Sequence, residues 1–274
     1  MLLQIILPAV CVLAIVFYVS GGIGTYEDPQ QDQEKIAQTR LVLAEMEQEA
    51  PADPETFVRT VREEQPQEEP EEGSQQPDLA MLEADLLSHY GDYDYNTDHF
   101  RYWFSDAVIV GDSVADAIHG FGWLYDQNVQ AQGGIGLYSS QEVIDNAIWL
   151  WPSAVFLTFS ANDIAAFGTD IDSYITLYSQ VVSRLQEELP NAQIYVEGII
   201  PCDPDFREEY WYYDYMDDYN ESLQQMCEEM QVTYFDPSFI LYAYPDTYNG
   251  DGFHPSWEFY PLWLTYMAEI AGLT

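Results

Sequence analysis

The chain has 274 residues, of which 48 are Asp or Glu and only 7 are Lys or Arg, for a formal charge of -41 at pH 7. The acids are spread through it, 21 in residues 25–100 and 27 in residues 101–274, so acidity is a property of the folded part as well as of the linker. Such a surface repels nucleic acid and anionic lipid headgroups and excludes both as partners; high salt or mildly acidic surroundings would each relieve its self-repulsion.

Residues 2–19 are apolar apart from Gln4, about the length at which a membrane-spanning helix becomes credible. No Lys or Arg precedes them and residues 20–24 offer a poor cleavage site, so residues 1–24 read as an uncleaved signal anchor rather than a cleaved peptide. The first basic residue after this segment is Lys35. With that acidic flank outside, the chain is expected at the cell membrane with the remainder extracellular, or secreted if the segment is cut. Residues 25–77 are rich in Glu, Gln and Pro, cannot bury a core and read as an acidic disordered linker. Asp78 to Leu87 puts Leu79, Leu82, Leu86 and Leu87 on one face and predicts a helix that packs on the domain C-terminal to it, whereas Tyr90 to Trp103 shows no clean period. Together these make a lead-in over residues 78–104. Cys11 lies in the apolar run, which leaves Cys202 and Cys227 as candidates for a bridge that spacing alone does not decide.

From residue 105 strands and helices alternate. Apolar runs at Ala107 to Val110, Val129 to Gln132, Ala154 to Phe159, Gln193 to Ile200 and Thr233 to Phe235 predict strands. Helices are expected from about Val114, at Ser140 to Ile148, Ile171 to Glu188, Tyr215 to Met230 and Glu258 to Ala271, with loops between, among them a long aromatic one. This order predicts one α/β domain over residues 105–274, a three-layer doubly wound sandwich with a mostly parallel central sheet. There are no repeats and no zinc-type Cys or His spacing, so no cofactor or metal is expected; Asp214, Asp217 and Asp218 read as a solvated acidic face rather than a calcium site.

The domain is organised around its first strand, which stops at Gly111-Asp112-Ser113 and runs into a helix. That turn sets Ser113 at the carboxyl edge of the sheet, where open α/β folds place ligands. Taken alone, Ser113 reads equally as a helix cap and as a nucleophile. A nucleophile needs a base, a group that orients the base, and donors for an oxyanion. His254 stands in the glycine-rich stretch Asn249-Gly250-Asp251-Gly252-Phe253-His254-Pro255, with Asp251 three residues before it, close enough in a tight turn to accept from one ring nitrogen. His119, on the helix after Ser113, reads as a partly exposed helix residue. Ser160-Ala161-Asn162-Asp163 follows the third strand onto the same edge and offers the amide of Asn162; Gln132-Gly133-Gly134-Ile135-Gly136 follows the second and offers backbone N–H groups. As a dinucleotide fingerprint that glycine cluster has the wrong spacing.

These four blocks, Gly111-Asp112-Ser113-Val114, the glycines after strand two, Asn162-Asp163 and Asp251-x-x-His254, resemble in order and placement the SGNH, or GDSL-type, hydrolase family, in particular its membrane-anchored Gram-positive members. The resemblance covers residues 105–274. It implies Ser113 as nucleophile, His254 as base, Asp251 as the acid that orients it, and an oxyanion hole from the N–H of Ser113, a glycine of block two and Asn162. Gly136 is the chosen glycine and Gly134 the runner-up, because the asparagine that usually precedes this block is absent. Ser160 stands where the third block commonly begins with glycine, and Val114 where leucine is usual.

Tyr210, Trp211, Tyr212, Tyr213 and Tyr215, with Tyr242, Tyr244 and Tyr248, either stack on sugar faces at the catalytic edge or close the open edge of the sheet. Asp112, Trp211, Tyr212 and Tyr248 are the candidates for lining the substrate. The expected function is an extracellular serine esterase that removes small acyl groups, O-acetyl first, from a carbohydrate or cell-wall glycan, with small esters as other substrates. An O-acetyltransferase with the same triad and a glycan-binding module without turnover are the alternatives.

Overall fold

A computed structural model of the protein describes residues 79–88 and 97–274. The apolar segment 2–19 and the linker 25–77 lie outside the described residues.

Five strands form one parallel sheet: β1 (Ala107–Gly111), β2 (Val129–Ala131), β3 (Ala154–Thr158), β4 (Gln193–Glu197) and β5 (Thr233–Phe235), in the spatial order β2-β1-β3-β4-β5. Every residue of β1 and β3 is buried, as their unbroken apolar text requires of strands covered on both faces. The crossover from β1 to β2 runs one way along the sheet and those from β2 to β3, β4 and β5 run the other. With right-handed crossovers this puts the helices in two layers. One layer holds α4 (Gln141–Leu150), α6 (Ile171–Glu188) and α8 (Met216–Met230). The other holds α3 (Ser113–Phe121) and the closing α10 (Phe259–Ile270), joined where Tyr260 donates to the carbonyl of Val114 at 3.0 Å. Phe156 of β3 stacks on Tyr195 of β4 with centroids 4.7 Å apart, and Phe235 of β5 meets Tyr266 of α10, so the aromatic core runs from the sheet into the closing helix.

Several elements depart from expectation, each for a local reason. The helix expected from Asp78 is α1 (Leu79–Ser88); it packs on α10 by burying Leu86, and Tyr244 fastens it through the carbonyl of Leu87. Within the stretch that shows no period, Thr97–Trp103 forms α2, because Phe100, Trp103 and Phe104 sit at helical spacing, with Phe100 packed on Trp103 and Trp123 and Phe104 on Phe156. The stretch after β3 is not a loop: α5 (Ala161–Phe167) begins almost at once. The aromatic loop contains α7 (Pro204–Glu209), opened by a capping Asp203 and a proline, followed by a 3-10 turn at Trp211–Tyr215. Ser238–Ala243 forms a short α9. β4 stops at Glu197 rather than Ile200, and β2 at Ala131, where the neighbouring strands end. Cys202 and Cys227 are free thiols, not a bridge.

Candidate active site

The strand order reverses between β1 and β3, and chains leave both strands there toward opposite layers. A crevice at the carboxyl ends of these two strands is the general ligand position in such sheets. Ser113 follows β1 and Asn162 follows β3, so both stand on its rim.

Ser113 does not cap its helix. Asp112 does, in extended conformation, its Oδ1 accepting from the N–H of Val114 at 3.0 Å. Ser113 is therefore the first helical residue, a position whose N–H has no acceptor within the helix. The other oxygen of Asp112 accepts from the N–H of Ser160 at 3.0 Å and from its hydroxyl at 3.2 Å. Asp112 thus ties the turn after β1 to the turn after β3 and does not line the substrate edge. The serine where glycine is usual adds one bond to that tie. Burial pushes the Asp112 carboxyl up, against the lowering effect of these bonds.

His254 reaches Ser113 across 141 residues of chain: its Nε2 lies 2.9 Å from Oγ of Ser113, and its Nδ1 lies 2.7 Å from Oδ2 of Asp251. The remaining oxygen of Asp251 accepts from the N–H groups of Phe253 and His254, each at 3.0 Å. Partial burial acts to raise the Asp251 carboxyl, but these N–H bonds and the imidazole outweigh it and hold it below its ordinary value.

The loop that carries this pair is pinned from several sides. Tyr248 and Pro255 bridge in antiparallel fashion, and the N–H of Asn249 donates to the carbonyl of His254 at 2.8 Å. Gly252 has φ +72° and its carbonyl accepts from the N–H of Asp203 at 2.8 Å, while a Cβ there would fall 2.3 Å from the Asp203 carboxylate. Phe253 lies beside the imidazole, centroids 4.9 Å apart, and stacks against Phe206 of α7.

The glycine loop after β2 is held by carboxylates that sequence reasoning missed as site residues. Asp116 of α3 accepts from the N–H of Gly133 at 3.1 Å and also pairs with His119, so that His–Asp pair serves the loop and not Ser113. Asn162 donates to the carbonyl of Ile135 at 2.9 Å, and buried Asp163 accepts from the N–H of Leu137 at 2.8 Å. Gly136 is packed against these groups, its N–H donating to Oγ of Ser139 at 3.3 Å. Gly134 has φ +79° and stands exposed at the tip.

Of the aromatic candidates, Trp211 is 59% exposed and packs beside Gly168 at the end of α5. Tyr212 is half-buried between Tyr210 and Trp211. Tyr248 is tied to the carbonyl of Pro201 at 2.9 Å, and Tyr213 is buried outright. Closing the sheet edge thus accounts for some of these rings, and Trp211 with Tyr242 remain outward. Among the described residues no group of three or more His, Cys, Asp or Glu side chains gathers as a metal site. Asp214 pairs with Arg207, and Asp217 and Asp218 sit exposed in the first turn of α8.

A family model, the GDSL-like lipase/acylhydrolase family, matches residues 109–262, from the first strand to within the closing helix. The chain belongs to this family. Among solved structures it is similar to a GDSL-like lipase from Bacteroides thetaiotaomicron (14% identity, 70% of this chain and 98% of that one, TM-score 0.50). It is also similar to a lipase/acylhydrolase from Enterococcus faecalis (16% identity, 61% and 95%, TM-score 0.48). A third is a variant of an acetyl-xylooligosaccharide esterase from Geobacillus (16% identity, 60% and 93%, TM-score 0.46). A search of curated proteins found no match.

Proposed function

We propose that this member of the GDSL-like acylhydrolases is a serine esterase that removes a small acyl group, O-acetyl first, from a carbohydrate or cell-wall glycan, and that residues 2–19 hold it at the outer face of the cell membrane. The observation that carries the reading is the relay from Asp251 through His254 to Ser113 at the point where the strand order reverses.

In this reaction Oγ of Ser113 attacks the ester carbonyl while Nε2 of His254 takes its proton, and Asp251 stabilises the imidazolium that results. The carbonyl oxygen becomes an oxyanion facing the N–H of Ser113, the N–H of Gly136 and the amide of Asn162. That amide carries two hydrogens, one already given to Ile135 and the second for the oxyanion. The tetrahedral adduct collapses as His254 gives its proton to the sugar oxygen, which leaves as an alcohol. Water then attacks the acyl-serine with His254 as base, and releases the acid and free Ser113.

The packing of Gly136 against Asp163 and Tyr138 and the exposure of Gly134 favour Gly136 as the block-two donor. The outward ring of Trp211 at the end of α5 supports a sugar face as the leaving-group partner, since an exposed indole offers an apolar plane in a wet setting. The test compares wild type with Ser113→Ala on 4-nitrophenyl acetate and on O-acetylated glycans, with fluorophosphonate labelling alongside. Labelling and acetate release that both vanish in the variant are the expected result. A folded wild type that neither labels nor releases acetate would overturn the esterase reading in favour of glycan binding.

A further inference from the structure

Asn162 and Asp163 are consecutive, and they grip consecutive peptide units. The carbonyl of Ile135, held by Asn162 at 2.9 Å, belongs to the same peptide as the N–H of Gly136. The N–H of Leu137, held by Asp163, belongs to the next peptide, and both oxygens of the carboxyl reach it, at 2.8 and 3.1 Å. The two planes that meet at Gly136 are therefore each fixed by a side chain of α5. The fit is close: a Cβ on Gly136 would fall 2.7 Å from Oδ1 of Asp163 and 2.6 Å from the ring of Tyr138. At φ -115°, ψ 179° the backbone of Gly136 suits any residue, so it is the approach of Asp163 and Tyr138 that demands glycine.

Asp163 is wholly buried, and burial pushes its carboxyl well above the ordinary value, with Asp112 adding to the rise and the Leu137 N–H opposing it. An acid kept in such a place loses its hydration, and what it gains here is one backbone donor of the glycine loop. A helix N-terminus could satisfy that donor with a serine or threonine at lower cost.

We propose that Asp163 is a positioning residue for the esterase reaction: by holding the Gly136–Leu137 peptide it fixes the Gly136 end of the neighbouring Ile135–Gly136 peptide, whose N–H is to meet the developing oxyanion in place of Oγ of Ser139. The inference rests on the esterase reading. It assigns Asn162 two tasks, donor to the oxyanion and holder of Ile135, and assigns Asp163 the second task alone. The loop backbone is then held before substrate arrives, and the Gly136 N–H has only to exchange Oγ of Ser139 for the oxyanion.

The experiment uses the full chain with Asp163→Ala, Asp163→Asn and Gly136→Ala, reading kcat and KM on 4-nitrophenyl acetate, affinity for phenylboronic acid as a tetrahedral mimic, and thermal melts. Removing the acceptor in Asp163→Ala is expected to lower kcat about 100-fold with KM within about twofold, and to weaken the boronate by a similar factor. Asp163→Asn keeps an acceptor of the same reach and is expected to restore most of kcat and of boronate affinity. If Asp163→Ala does not fold, Gly136→Ala carries the test: its new methyl displaces the loop from Asp163 and is expected to lower kcat at unchanged KM. Full kcat in either variant would overturn the proposal, as would an Asn variant as impaired as the Ala variant, because loop position would then not be set by this acceptor. A wild type inert toward every ester and the boronate would overturn the esterase reading itself, and that blank is seen before any variant is compared.

Discussion

At the scale of single residues, the relay among Ser113, His254 and Asp251 makes demands that can be checked one atom at a time. Asp251→Asn leaves the shape of the loop but turns the group facing Nδ1 of His254 into an amide, which spoils the tautomer the base needs. It is expected to lower kcat by about 10⁴-fold with the melting temperature little changed, as steady-state kinetics beside calorimetry would show. Asn162→Ala removes a donor worth about 3 kcal/mol to the oxyanion and should lower kcat by about 10²- to 10³-fold in the same assay. It also frees the Ile135 carbonyl, so KM is the control: a loss confined to KM would place Asn162 outside the oxyanion hole. That Ser113, His254 and Asp251 come together was legible in sequence because each sits in a short block whose spacing has a chemical meaning. Asp116 and Asp163 were not, since a carboxylate that binds a backbone N–H of a distant loop leaves no local pattern. Asp112 was misread as a substrate contact for the same reason: its partner Ser160 lies 48 residues away.

At the scale of elements, the catalytic loop depends on α7. Gly252→Ala would place a methyl group on the Asp203 carboxylate and force an L residue into left-handed backbone. The expected cost is about 1–2 kcal/mol of stability from the backbone alone, together with a loss of activity as the His254 loop shifts. Urea denaturation and turnover on 4-nitrophenyl acetate would measure the two effects separately. The long helices and the five strands were legible because hydrophobic period and strand-loop alternation extend over enough residues to speak clearly. The short elements α2, α5, α7 and α9 run for six or seven residues each, too few for a period to emerge among so many aromatic side chains. Their helical state is set by caps and by neighbours in space. Asp203 caps α7, whereas α2 is held by rings that meet Phe100 and Phe104 from other parts of the chain.

At the scale of the whole molecule, charge governs stability. Glu197, the last residue of β4, is 2% exposed, and burial pushes its carboxyl well above the ordinary value although the indole of Trp263 donates to it. A group that holds its proton more tightly folded than unfolded loses stability for the fold as pH rises past the unfolded value, about 4.3 for glutamate, toward the raised folded one. Asp251 has the opposite sign: its contribution is present above the unfolded value, about 3.9, and is lost as pH falls through its lowered folded value. The melting temperature is therefore expected to be higher near pH 5 than near pH 7, and to fall again in strong acid. Glu197→Gln should flatten the rise between those two pH values, as melts across the range would show. With 48 acids against 7 bases, melting should also climb with added salt, since the screening length falls from about 30 Å at 0.01 M to about 3 Å at 1 M. The flattening by Glu197→Gln should survive that salt, because the group is buried. The acidity was plain in composition; which acids are buried was not, because Asp112, Asp163 and Glu197 look in sequence like any others.

The pairing of Ser113 with His254 across 141 residues also has a meaning in time. A polypeptide is made from its amino end, so Ser113 exists long before His254. The sheet is complete at Phe235, and the His254 loop lies between it and the helix whose Tyr260 clasps the helix that carries Ser113. Until His254 has been synthesised, Ser113 has no imidazole to bond to and is an ordinary alcohol. On the esterase reading, a nascent chain arrested short of His254 would be inert toward any ester it met.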